Sequence, residues 1–161
     1  MENFLNLFFY QKCLLCEKSK GPVCFECLNS CTINFESYCV VCGKKVTDKS
    51  HERCYAETNF SRIFSMFEYS GAVREIIRIS KYSRRKYSCL NRLVEFGFEK
   101  IKYVPDYSNY LILPIPVHKE KLKKRGFNQA EIIARAAAKN FYNTSVQSNF
   151  LLRRQLTEEN Y

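Results

Sequence analysis

The sequence predicts a small metal-dependent N-terminal module followed by an α/β domain with a parallel sheet. Three observations carry this. Eight of the nine cysteines lie between residues 13 and 54, mostly as pairs two residues apart. Past residue 58 the composition changes, and strand-like and helix-like periodicities alternate. An apolar run ending in Pro-Ile-Pro passes into a basic segment and then a capped helix, the order in which open α/β sheets place ligand loops at strand carboxyl ends.

The cysteine pairs read Cys13-x2-Cys16 with Cys24-x2-Cys27, then Cys39-x2-Cys42 with His51-x2-Cys54. Two intervening residues let one tight turn aim both side chains at a single tetrahedral ion, and a second pair closes the site. Gly43 directly follows Cys42, which suits a knuckle turning through positive φ to aim amides at a thiolate. Two structural zinc ions are expected. The rival readings are a disulfide framework or redox thiols. Residues 1–12 begin with an acidic residue after Met1, hold only a short apolar stretch and lack a small-residue cleavage site, so no secretory signal supports disulfides. Cys31 fits neither quartet and could substitute for a neighbour. Cys89 stands alone and reads as a small buried apolar residue.

With 161 residues, 46% apolar and 15% aromatic, the chain is too hydrophobic for disorder. No apolar run approaches the roughly 20 residues that span a bilayer, and a cytoplasmic location is expected. The formal charge of +10 falls to about +7 with zinc, since the four-thiolate site carries −2 and the three-thiolate site −1. Two clusters supply much of it: Arg74, Arg78, Lys81, Arg84, Arg85 and Lys86 interleaved with Tyr82 and Tyr87, and Lys119, Lys121, Lys123, Lys124 and Arg125. They suit a phosphate-bearing partner or, equally, a solvated helix face.

Residues 1–58 form the cysteine module, too short to build a core without metal, and residues 59–161 the α/β part. Phe60–Tyr69 alternates as a strand. Ser70 is placed to cap a helix carrying Val73, Ile76, Ile77 and Ser80. Ser88 is placed to cap the next, whose inner face is Leu90, Leu93, Val94, Phe98 and Ile101, with Pro105 and Asp106 breaking it. Tyr110–Val117 reads as a strand covered on both faces, and His118–Phe127 as a basic loop. Asn128 and Glu131 form a capping-box variant opening a helix to about Phe141. Val146–Arg154 supplies a further strand. The amides opening the Asn128 helix, with Lys119, Lys123, Lys124 or Arg125, outline an anion site.

At this point the residues match a known pattern. The paired knuckles, then F-x-Y-S-G-x-V-R-E-I-I-R-x-S-K (Phe67–Lys81), then LPIPVHKEKLKKRGFNQAE (Leu113–Glu131) resemble the ComF family of competence-associated proteins. These resemble type I phosphoribosyltransferases carrying an N-terminal double zinc ribbon. Arg125–Ala130 (RGFNQA) is the most specific piece, and the resemblance spans Cys13 to Thr157. It implies that Val117, His118, Lys119, Lys123, Lys124, Arg125 and Gly126 belong to a loop contacting the pyrophosphate of phosphoribosyl pyrophosphate. Leu151–Thr157 would begin a loop closing over the site. The zinc ligands map to Cys13, Cys16, Cys24 and Cys27, and to Cys39, Cys42 and Cys54, with His51 standing where a cysteine is more usual. The implied role is handling single-stranded DNA during transformation, beside a competence helicase.

The family's acidic pair followed by Thr-Thr-Gly, which holds ribose phosphate, is not found. The only aspartates are Asp48 and Asp106, and Glu158-Glu159 lacks such a turn. Magnesium is expected only with a complete phosphoribosyl pyrophosphate site, and no residue of this sequence is assigned as catalytic. The resemblance therefore implies an α/β domain incomplete at its C-terminus, as a fragment, split gene or frameshifted copy, with an apolar sheet edge exposed. The alternative is a zinc-ribbon module binding single-stranded nucleic acid, with Arg84, Arg85 and Lys86 on phosphates and Tyr82, Tyr87 and Tyr103 stacking. Against that stands ordinary packing of the tyrosines. A biologically silent fragment is the third reading.

Overall fold

A computed structural model describes residues 12–18, 21–47, 51–58, 60, 62–82, 87–101, 109–141 and 143–155. The elements in chain order are α1 (Phe25–Asn29), β1 (Ile33–Tyr38), β2 (Lys45–Val46), α2 (Glu52–Thr58), β3 (Ile63–Phe67), α3 (Gly71–Tyr82), α4 (Ser88–Lys100), β4 (Leu111–Ile112), α5 (Lys119–Arg125), α6 (Gln129–Ala138) and β5 (Ser145–Val146). They form a three-stranded antiparallel sheet and a two-stranded parallel sheet, with α4 packed against both α3 and α6. The expected breaker at Pro105 and Asp106, Tyr103, the N-terminal residues 1–11 and the basic residues Arg84, Arg85 and Lys86 lie outside the described residues.

The first sheet has the order β2-β1-β3 and is antiparallel throughout. Phe60–Tyr69 does hold a strand, over Ile63–Phe67. Its partner, however, is β1 of the cysteine-rich segment, with Tyr38 opposite Ile63, Ser37 opposite Phe64 and Ile33 opposite Phe67. A register shift between Ile33 and Glu36 marks a bulge. The sheet thus runs across the position where composition changes. Cross-strand contacts stabilise it: Phe35 stacks on Phe64 at 6.3 Å between ring centres, and Glu36 accepts from both Tyr38 and Lys45.

The core runs across the same position. Val23, Leu28 and Cys31 from around α1 pack with Val73 and Ile76 of α3 and with Cys89, Leu90, Leu93 and Phe96 of α4. On α3 the buried residues Val73, Ile76 and Ser80 recur at steps of three and four, as read from the sequence. The buried face of α4 includes Leu90, Leu93 and Val94 and adds Cys89, Phe96 and Gly97. Phe98 and Ile101 are only half-buried. Ser88 does not cap α4. It is the first helical residue, and Tyr87 occupies the cap position without a side-chain bond.

The second sheet is parallel: Leu111 pairs with Ser145 and Ile112 with Val146. It is much shorter than Tyr110–Val117 and Val146–Arg154 suggest. Pro114 and Pro116 offer no N–H to a ladder, so pairing stops before them. Nor is the segment covered on both faces, since Leu111 is 48% and Ile115 67% exposed. The expected loop at 118–127 is largely the helix α5. Lys, Glu and Leu favour helix, His118 caps the start by accepting from Glu120 N, and Gly126 ends it at φ 84°. Asn128 caps α6 by accepting from Ala130 N. The reciprocal half of the capping box is not made, because Glu131 accepts instead from Arg135 one turn on. The helix ends at Ala138 rather than Phe141.

Two side chains of the RGFNQAE segment fix it in place. Asn128 Nδ2 donates to Ile115 O at 3.1 Å, tying α6 to the proline segment. Gln129 Nε2 donates to the buried Ser80 hydroxyl at 2.8 Å, tying α6 to α3. Ser80 in turn donates to Ile77 O. The small buried residues Ala134 and Ala136 let α6 pack on α4, where Phe98 and Phe141 meet edge to face at 5.6 Å.

Gly97 is where α4 crosses β3 most tightly. A Cβ there would overlap the Met66 thioether and meet Phe67 Cζ at 3.0 Å. Gly97→Leu should lower stability by about 1–3 kcal/mol through overpacking. Gly97→Ala should cost less, because a helix-propensity gain of about 1 kcal/mol offsets the displacement of Met66. Urea unfolding of the two variants measures both.

Candidate metal centres and the basic cavity

The structure brings both sequence quartets together. The ligand atoms of Cys13, Cys16, Cys24 and Cys27 lie within 4.8 Å of one another, and so do those of Cys39, Cys42, His51 and Cys54. Cys31 joins neither. It is buried in the core with its thiol near Cys27 O, and Cys89 is likewise buried, beside Ile76 O.

The two centres are built alike. In each, a knuckle supplies two ligands and a helix start supplies the other two. Cys13 N donates to Lys18 O at 3.0 Å, and Cys39 N to Lys44 O at 2.9 Å. The residue after the second knuckle cysteine has positive φ in both, 56° at Glu17 and 67° at Gly43. Its amide donates to the carbonyl of the first cysteine, Cys13 or Cys39. The Gly43 turn is therefore as read, but its amide serves a carbonyl and not a thiolate. Cys24 is the N-cap of α1 with Cys27 in its first turn. His51 precedes α2, its carbonyl accepting from Tyr55 N, with Cys54 inside the helix. Helix starts favour anionic ligands through the dipole and free amides.

Ligand spacing tests the fit to zinc. A tetrahedral ion with Zn–S near 2.3 Å holds its sulfurs about 3.8 Å apart, and a sulfur and a nitrogen about 3.6 Å apart. The Cys13–Cys27 and Cys16–Cys24 sulfurs are separated by 3.8 and 3.6 Å, and Cys42 Sγ lies 3.5 Å from His51 Nδ1. A disulfide needs about 2.05 Å, and none of the nine cysteines forms one. The residues present fit two zinc ions, each with four protein ligands. That donor set is of the closed, structural kind, with no position left for substrate.

A cation would ease the ionisation of these thiols. Burial pushes Cys13 up, but the amides of Cys16, Cys24 and Leu15 outweigh it and bring the thiol down to about 6. Burial, then hydrogen bonding from Cys24, Cys16 and Cys13 and the charge of Cys13, hold Cys27 far above the usual thiol range. Cys54 is pushed up to about 11 by burial, then by Cys39 and Cys42. Within each quartet, ionising one thiol thus opposes ionising the next. A divalent ion removes that opposition.

The basic residues divide. Lys123, Arg125 and Gly126 line an open cavity of about 410 Å³ together with Tyr87, Leu122 and Phe127. Val117, His118, Lys119 and Lys124 do not line it. Val117 is half-buried and His118 buried, its Nδ1 engaged with Glu120 N, while Lys119 and Lys124 are exposed on α5. On α3, Arg74 and Arg78 are exposed, and Arg78 is paired with Glu75. Phe127, absent from the sequence-based candidates, meets the Tyr87 ring at 5.9 Å. Aromatic residues beside each basic run were the available signal. Among the described residues no helix is long and apolar enough to cross a membrane.

Comparisons with known protein families, with curated proteins and with solved structures found no match to this chain.

Metal analysis should return two zinc ions per chain. Cys42→Ala should retain about one and keep most helical circular dichroism. Cys13→Ala should lose helical signal as well as metal, because its quartet abuts the core through Val23 and Leu28.

Proposed function

We propose that this chain is a ComF-like protein in which two structural zinc centres support an α/β unit of the phosphoribosyltransferase type, and that it binds single-stranded DNA during uptake. The observation that carries the reading is the cavity beside Gly126. Tyr87, next in sequence to Arg84, Arg85 and Lys86, meets Phe127, next to Arg125 and Gly126. The Tyr87–Phe127 contact thereby brings the start of α4 to the end of α5, beside Lys123 and Arg125. Lys123 and Arg125 supply cations there, and a phosphate-rich ligand is the chemistry they recognise.

The parallel pairing of β4 with β5, linked through α5 and α6, supports the α/β part of the reading, since parallel neighbours require such a crossover. We assign binding rather than catalysis to these residues. No acidic pair followed by Thr-Thr-Gly occurs in the sequence, so donors for a ribose phosphate and its transition-state charge are not among them. Magnesium and phosphoribosyl pyrophosphate belong to the proposal only through the family resemblance, as does a helicase partner.

A second reading makes the α/β part a scaffold and the protein a nucleic-acid binder without a pyrophosphate site. Two facts favour it: the basic segment is a helix and not a phosphate-wrapping loop, and two aromatic rings wall the cavity. Bases stack on such rings at about 1–3 kcal/mol each.

Fluorescence anisotropy with a labelled single-stranded oligonucleotide separates the readings. Affinity should fall steeply with salt, and Lys123→Ala and Arg125→Ala should each reduce the logarithmic salt slope by about 1. Competition by pyrophosphate that the same variants abolish supports the first reading. Salt-sensitive DNA binding without such competition supports the second, and binding of neither ligand sinks both.

A further inference from the structure

The two metal centres meet solvent differently. In the first, Cys13 and Cys24 are buried and Cys16 and Cys27 half-buried. Cys27 packs against the core that α3 and α4 complete. In the second, Cys42 and His51 are exposed, Cys54 is half-buried and only Cys39 is buried. Among the described residues none of these four belongs to that core. What the second centre joins is the end of β1, the β1–β2 turn and the start of α2.

We propose that the second centre is a thiol-oxidation switch, in which a peroxide converts Cys42 and Cys39 to a disulfide and expels that zinc while the first centre keeps its own. The proposal rests on the two-zinc reading and is independent of the nucleic-acid and phosphate part. Cys42 is the exposed thiolate, so it is the group a small oxidant reaches. Cys39 is its partner in the same knuckle, with both sulfurs inside a cluster no wider than 4.8 Å. Closing that gap to the disulfide length of about 2.05 Å asks for a local shift within one turn.

The chemistry balances. Cys42 Sγ attacks one peroxide oxygen; an S–O bond forms, the O–O bond breaks, and the departing hydroxide takes a proton to become water. Cys39 Sγ then attacks the sulfenic sulfur, the S–S bond forms, and the second hydroxide leaves as water after taking another proton. Two electrons pass from the two thiolates to the peroxide. The ion loses two of its four ligands and leaves His51 and Cys54, which alone hold zinc weakly. Release frees α2 from the knuckle but leaves the β1–β3 pairing and the core in place.

The test doses the zinc-loaded protein with hydrogen peroxide, follows released zinc with a chromogenic indicator and maps thiols by alkylation and mass spectrometry. One zinc per chain should leave at least about tenfold faster than the other. A Cys39–Cys42 disulfide should accompany it, with helical circular dichroism largely kept, and reductant plus zinc should restore the start. Cys42→Ser should lose the fast phase and keep the slow one. Should that variant not fold, the wild-type thiol map decides alone. Loss of both zincs together, or first oxidation within Cys13–Cys27, overturns the switch. Purified protein without zinc would overturn the two-zinc reading as well.

Discussion

The convergence of Cys13, Cys16, Cys24 and Cys27 on one place is the constraint on which the rest depends. Residues 12–31 contain one helix of five residues, far too little regular structure to hold itself together in water. Four ligands on one ion would fix the knuckle against the start of α1, and that placement sets Val23 and Leu28 where α3 and α4 can pack on them. Metal ligation and hydrophobic burial are therefore not separate contributions at this end of the molecule. An ion held there would order the chain, and the ordered chain completes the core.

β1 carries the same dependence further. It hydrogen-bonds to β2 on one side and to β3 on the other, so the strand following the first metal centre holds the strand preceding α3. α4 then lies across β3 at Gly97, close enough that a methyl group would collide with Met66. Through α4 the order reaches α6 by way of Ala134, Ala136 and Phe141. Gln129 adds a polar tie back to α3 at Ser80.

What could be read from the sequence was what short spacing encodes. Two-residue gaps between cysteines specify a turn, and both quartets converge as those gaps imply. The inner face of α3 and the Leu90, Leu93 and Val94 part of that of α4 follow from residues three and four apart, whereas Cys89, Phe96 and Gly97 do not. Pairing partners were not legible, because β1 and β3 are brought together by burial and not by any local signal. Ile63–Phe67 was recognisable as a strand, yet nothing in it names Ile33–Tyr38 as its neighbour. The apolar run from Tyr110 overstated the parallel strand, since hydrophobicity says nothing of the hydrogen bonds that Pro114 and Pro116 cannot donate. The basic segment after it looks like a loop in sequence because Pro114 and Pro116 end the strand, yet His118 and Gly126 serve as the ends of a helix. Phe127 escaped notice as a site residue, for its proximity to Tyr87 depends on the packing of α4 and α6.

The shared strand also bears on the order in which the chain assembles. β1 must find β3 across the connection Cys39–Arg62, a non-local pairing of the kind that slows folding. An ion joining Cys39 to Cys54 would leave only the connection Tyr55–Arg62 to close. Shortening a flexible loop about threefold lowers its closure entropy by about 1 kcal/mol. Zinc bound there would act in time as well as in space: it would be a clip that shortens the search before the sheet exists, and metal supply during synthesis would govern how quickly the sheet is found.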